Sequence, residues 1–77
     1  MDTEQIKSKL IELTGQIFEV NTTTLSLDSS RDTVPEWDSL AHLKLFLEIE
    51  EQFKMSFSFD EIKNIKSLNE IYQKLIN

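Results

Sequence analysis

The sequence predicts an all-α domain of four helices, three longer ones and a short third, with a long loop between the first and second. Three observations lead there. Ile6, Leu10, Leu13 and Ile17 recur at i, i+4, i+7 and i+11, the spacing that lines one face of a helix. Ser58-Phe59-Asp60-Glu61 and Ser67-Leu68-Asn69-Glu70 each match the capping box, in which the serine oxygen takes one free helix amide and the glutamate reaches back to another. Between about residues 19 and 37 the periodicity disappears, and nowhere does the chain alternate as a strand does.

Helix one can be capped by Asp2 or Thr3. Gly15 interrupts it at a cost of about 1 kcal/mol relative to alanine, so early fraying is expected, although Ile17 keeps the register. In the loop, Asn21-Thr22-Thr23-Thr24 and Asp28-Ser29-Ser30 supply side chains that bond nearby backbone and favour turns. Connections beyond roughly 12–15 residues are uncommon in compact domains and are usually functional or disordered. Leu25, Leu27 and Val34 are the residues expected to pin this one to the core.

Pro35 turns Asp32-Thr33-Val34 away from helical geometry, and helix two follows, capped by Asp38 or Ser39. Its expected apolar stripe is Leu40, Leu43, Phe46, Leu47 and Phe53, opposite Lys44, Glu48 and Glu51. The third helix should end near Ile65. The fourth should reach Ile76 with Leu68, Ile71, Tyr72 and Leu75 facing inward. Phe18, Phe46, Phe53, Phe57 and Phe59 are read as core.

The 77 residues are read as a single domain, 1–77, that buries only about 60–65% of its unfolded surface, which argues against a deep catalytic cleft. Acidic residues outnumber basic ones 14 to 8, giving a net charge of -6. That balance repels phosphate backbones and anionic lipid, so neither nucleic acid nor a membrane surface is expected as a partner. No apolar run approaches the ~20 residues of a membrane span, and Met1-Asp2-Thr3-Glu4 does not open a signal peptide, so a cytoplasmic location is expected. With no cysteine, disulfides, thiolate metal sites and a cysteine nucleophile are excluded.

Trp37-Asp38-Ser39-Leu40 holds the candidate site. Ser39 should lie exposed at a helix start, where free amides and the macrodipole favour an attached anion. Taken alone, Asp38-Ser39-Leu40 reads as ordinary capping. Trp37 can serve as a core anchor or as a partner contact. His42, the single histidine, lacks an orienting third group for a Ser-His pair and is expected on the surface of helix two. Glu48, Glu50 and Glu51 lack the convergence that a hard cation needs and are expected to form a solvated, partner-facing surface; no metal site is expected.

The ordered set of an acidic domain of this length, four helices, a long first loop, and Asp38-Ser39-Leu40 opening a helix that continues from His42 to Phe53 resembles the acyl carrier protein family along essentially the whole chain. The segments from Phe57 to Ile65 and from Ser67 to Ile76 resemble that family's short third and final fourth helices. The resemblance implies that Ser39 carries 4'-phosphopantetheine, delivered from coenzyme A by a phosphopantetheinyl transferase, and that the arm's thiol holds acyl groups as thioesters. The chain would then be no enzyme and have no catalytic residues, and the reactive sulfur would be imported. Trp37, Asp38, Leu40, His42, Leu43 and Glu48 would form the surface read by the transferase, by an adenylating ligase or acyltransferase, and by downstream acyl-processing enzymes.

Two departures from fatty-acid carriers imply a specialised partner set. Glu36-Trp37 stand where a glycine and a small residue are common, and His42 and Lys44 stand where carboxylates are frequent. Phe46, Leu47, Phe59 and Ile62 are expected to fill the space between helices two and three, implying short or polar cargo. A freestanding acyl carrier is the leading reading. An aminoacyl or peptidyl carrier uses the same serine, and an unmodified acidic interaction module is the alternative of a different class; a small hydrolase is disfavoured by the missing Ser-His-acid set.

Overall fold

A computed structural model describes residues 2–77. It has four α-helices, α1 (Thr3–Phe18), α2 (Ser39–Phe53), α3 (Phe59–Asn64) and α4 (Leu68–Ile76), with a short 3-10 turn at Thr22–Thr24. Among the described residues the only β pairing is an isolated bridge between Ser30 and Ser67. The radius of gyration, 11.2 Å, is about that of a compact domain of this length, so the long loop is folded onto the body.

Asp2 caps α1. Its Oδ1 accepts from the Gln5 amide at 2.8 Å, and the Gln5 side chain accepts from the Asp2 amide at 3.1 Å. The helix does not fray at Gly15 as expected but runs on to Phe18. Gly15 is there for space. A Cβ at this position would lie 2.7 Å from Thr22 Cγ2 and 3.2 Å from the Val20 carbonyl oxygen, because the chain leaving the helix folds straight back across it. The Gly15 carbonyl accepts from both Glu19 and Val20, closing the helix through a left-handed Glu19.

Leu10, Leu45, Phe46, Ile49, Leu68 and Ile71 form the centre of the core, where α1 packs on α2 and α4. Leu25 and Val34 are buried and Leu27 half-buried, as expected of loop anchors. Backbone bonds strap the loop to the start of α4: Arg31 donates to Lys66, Leu68 to Ser29, and Asn69 to Leu27, each at 3.0 Å. A loop bonded in this way delivers Arg31 to a defined place.

Both capping boxes begin helices, but only that of α3 is fully closed. Glu61 accepts from the Ser58 amide at 2.9 Å and pairs with Lys74 of α4 at 2.9 Å. The Ser58 amide first, and Lys74 second, hold the Glu61 carboxyl below its usual range.

The expected register of α2 needs correction. Its buried residues are His42, Leu45, Phe46 and Ile49, whereas Leu40, Leu43 and Leu47 point outward. The helix has apolar residues on two faces, and periodicity cannot choose between them; the contacts of His42 described below decide. Phe59 was read as core and is 77% exposed. It lies in the first turn of α3, and Phe57, just before the cap, takes the core position against Phe46 with ring centroids 5.1 Å apart. Phe46 is buried and Ile62 half-buried, as expected of the residues between α2 and α3, but Leu47 and Phe59 are turned out and leave that space only partly filled. An open cleft of about 210 Å³ remains, lined by Arg31, Ser39, His42, Leu43, Phe59, Ile62 and Lys63.

Candidate functional site

Ser39 is the first residue of α2 and is exposed. The cap is Asp38, whose Oδ1 accepts from the Ala41 amide at 2.8 Å. The Ser39 hydroxyl enters no hydrogen bond among the described residues, so it has no structural task of its own. Upstream, Trp37 donates its amide to the Val34 carbonyl and Asp38 to that of Glu36, both at 3.0 Å. The turn over Pro35 thereby sets down Asp38 and Ser39 in a fixed register.

Trp37 is 3% exposed, which makes it a core anchor. Its indole N–H donates to His42 Nδ1 at 2.9 Å. His42 is 4% exposed, so the expectation of a surface histidine is overturned. Because Nδ1 accepts, the imidazole proton resides on Nε2 and is donated to the Ile62 carbonyl at 2.6 Å. Burial is the main influence pushing the His42 pKa down; the Ile62 carbonyl opposes it, and the positive charge of Arg31 adds to it. The ring is therefore neutral near pH 7, with both nitrogens engaged. It is not available as a base for Ser39.

A run of rings passes through this point. Phe18 lies 5.3 Å from Trp37, Trp37 6.0 Å from His42, and His42 4.9 Å from Phe46, measured between centroids. The run ties the end of α1 and the loop to α2, and the Ile62 bond adds α3. Ser39 sits between two fixed residues, Trp37 before it and His42 after it.

Of the residues expected on a docking surface, Asp38, Leu40 and Leu43 are exposed and Glu48 is half-buried. Trp37 and His42 do not belong to that exposed surface, because both side chains are buried. Glu50, expected to be solvated, instead accepts from the Phe57 amide at 2.8 Å and braces the connection from α2 to α3. Arg31 and Lys63 join Ser39 at the cleft through tertiary folding alone, and no local pattern marks either. Among the described residues no three His, Asp or Glu side chains gather as metal ligands, and no helix is long and apolar enough to cross a membrane. No protein-family model matches the chain, and no curated protein matches it.

Proposed function

We propose that the chain is an acyl carrier domain, holding acyl groups as thioesters on a 4'-phosphopantetheine arm attached to Ser39. The observation that carries this reading is the division of labour at the start of α2. Asp38 does the capping, and the neighbouring serine is left exposed with an unengaged hydroxyl. A serine whose only task was to cap would accept a helix amide, as Ser58 and Ser67 do.

The residues present fit such an arm. The hydroxyl stands at the amino end of a 15-residue helix, where the dipole favours the negative charge of a phosphodiester. During attachment, Ser39 Oγ forms its bond to phosphorus as the pyrophosphate P–O bond of coenzyme A breaks and the adenosine half departs. His42 has both ring nitrogens engaged, by Trp37 and Ile62, so its ring does not take the hydroxyl proton, which passes to a base of the phosphopantetheinyl transferase. Once attached, the arm supplies a thiol, which this chain lacks. Asp38, Leu40 and Leu43 then offer an exposed edge beside the attachment point for the transferase and for loading and unloading enzymes.

The test is intact mass after incubation with coenzyme A, magnesium and a broad-specificity transferase. One pantetheinyl phosphate should be gained, and Ser39→Ala should gain none. Absence of any gain, under conditions that modify a control carrier, returns the chain to the reading of an unmodified helical interaction module.

A further inference from the structure

The cleft beside Ser39 has a composition that the rest of the molecule does not lead one to expect. Acids outnumber bases 14 to 8 along the chain, yet this cleft is lined by two bases, Arg31 and Lys63, and by no carboxylate. Neither cation forms an ion pair among the described residues, where Lys74 with Glu61 is the only such pair. The cations come from two separate elements. Arg31 is placed by the bond from its amide to the Lys66 carbonyl, and Lys63 by the last turn of α3. His42 adds no charge, since its ring is neutral and fully bonded. The other walls are Leu43, Phe59 and Ile62.

Such a site suits a ligand that is anionic at one end and apolar beside it. Cations cleared of competing carboxylates bind a phosphate oxygen through charge-assisted hydrogen bonds. An apolar cavity of roughly 150 Å³ takes a benzene-sized group, so about 210 Å³ accommodates a short branched aliphatic segment. The proximal part of a pantetheine arm has this composition, a phosphodiester followed, one methylene on, by a carbon bearing two methyl groups, and Ser39 lines the same cleft.

Resting on the reading of Ser39 as the attachment site, we infer that Arg31 and Lys63 hold the arm's phosphodiester while Leu43, Phe59 and Ile62 receive its geminal methyls. The holo protein then keeps the base of its arm against the α2–α3 cleft instead of free in solvent. Cargo at the distal thiol projects from a fixed stem, and a partner that needs the whole arm extended must first draw it away from the two cations.

The experiment uses holo protein whose mass has already shown one arm per chain, with isotope-labelled Leu and Ile methyls. Nuclear Overhauser contacts are expected from the arm's geminal methyls to Leu43, Phe59 and Ile62. In the Arg31→Gln/Lys63→Gln double variant, modified to the same mass, those contacts should weaken several-fold, and Arg31→Lys should largely restore them beside native Lys63. Raising salt from 0.1 to 1 M shortens the screening length from roughly 10 to 3 Å, and should weaken the contacts in the native chain more than in the double variant. Holo protein without arm contacts at Ile62 and Phe59, or with contacts that the double variant leaves unchanged, overturns the inference while leaving Ser39 as the attachment site. A chain that gains no arm overturns the attachment reading itself, and the inference with it.

Discussion

The indole N–H of Trp37 and Nδ1 of His42 meet at 2.9 Å, and the opposite nitrogen of the same imidazole meets the Ile62 carbonyl. One buried side chain thus joins the loop, α2 and α3, and it does so only as the neutral tautomer protonated on Nε2. A second proton on Nδ1 would set two N–H groups against each other. The charged group that acts on the ring is Arg31 from the loop, which has the wrong sign to support an imidazolium.

It follows that stability should fall as the solution is acidified past the ordinary histidine range. His42 titrates near 6.5 when unfolded and lower when folded. Between those values the unfolded chain binds more protons, so its contribution is complete above about pH 6.5 and is lost as pH falls toward the depressed folded value. His42→Gln should cost about 1–3 kcal/mol at pH 7.5, where it disrupts buried hydrogen bonds, and should flatten the decline that sets in below about pH 6.5. Urea unfolding of both proteins at several pH values checks this. Parallel pH slopes for the two would rule out His42 as the source.

Gly15→Ala should destabilise the protein even though alanine is the better helix former by about 1 kcal/mol. The added methyl would lie 2.7 Å from Thr22 Cγ2, a short β-branched group held close to the backbone, with the Val20 carbonyl oxygen 3.2 Å away on another side. A net loss of about 1 kcal/mol or more is expected from overpacking. Adding Thr22→Ala removes the nearer obstruction, and the double variant should recover most of the loss. Thermal melts of the two single variants and the double one decide. Additive losses would mean that the two positions do not touch.

Much of the fold is legible in the sequence because local chemistry specifies it. Asp2, Ser58 and Ser67 begin helices where their side chains can take free amides, and Leu10, Leu68 and Ile71 lie on unambiguous stripes. Three features were hidden for physical reasons. Helix α2 has apolar residues on two faces, so its inward register depends on Trp37 and Ile62, which lie outside it. Gly15 reads as a helix breaker until the returning chain at Thr22 is seen. The exposure of Phe59 follows from Phe57 having taken the core position two residues earlier. At the candidate site, Asp38 and Ser39 were visible as neighbours, but which of them caps was not, because either side chain can accept a helix amide. Arg31 and Lys63 meet only through the strap between the loop and α4.

The register of α2 can be read directly from stability. Leu47 is 67% exposed, so Leu47→Gln should change the unfolding free energy by no more than about 0.5 kcal/mol. Ile49, two residues on and fully buried, should lose about 2–5 kcal/mol on truncation to alanine. Chemical denaturation measures both. A large loss at Leu47 with a small one at Ile49 would restore the stripe expected from periodicity.

The separation of tasks between Asp38 and Ser39 is open to the same kind of measurement, and here stability and modification should part company. Asp38 Oδ1 accepts the Ala41 amide at 2.8 Å, so Asp38→Ala should cost about 0.5–2 kcal/mol, the usual loss for a removed cap. The Ser39 hydroxyl bonds to nothing among the described residues and is exposed, so Ser39→Ala should leave stability within about 0.5 kcal/mol of the native chain. The same Ser39→Ala chain should gain no mass from coenzyme A and transferase. Asp38→Asn, which can still cap through its side-chain oxygen, should keep most of the stability and still be modified, at a rate that reports how much the transferase reads the carboxylate. A Ser39→Ala chain that loses as much stability as Asp38→Ala would make Ser39 a second capping residue and remove the main reason for assigning it the arm.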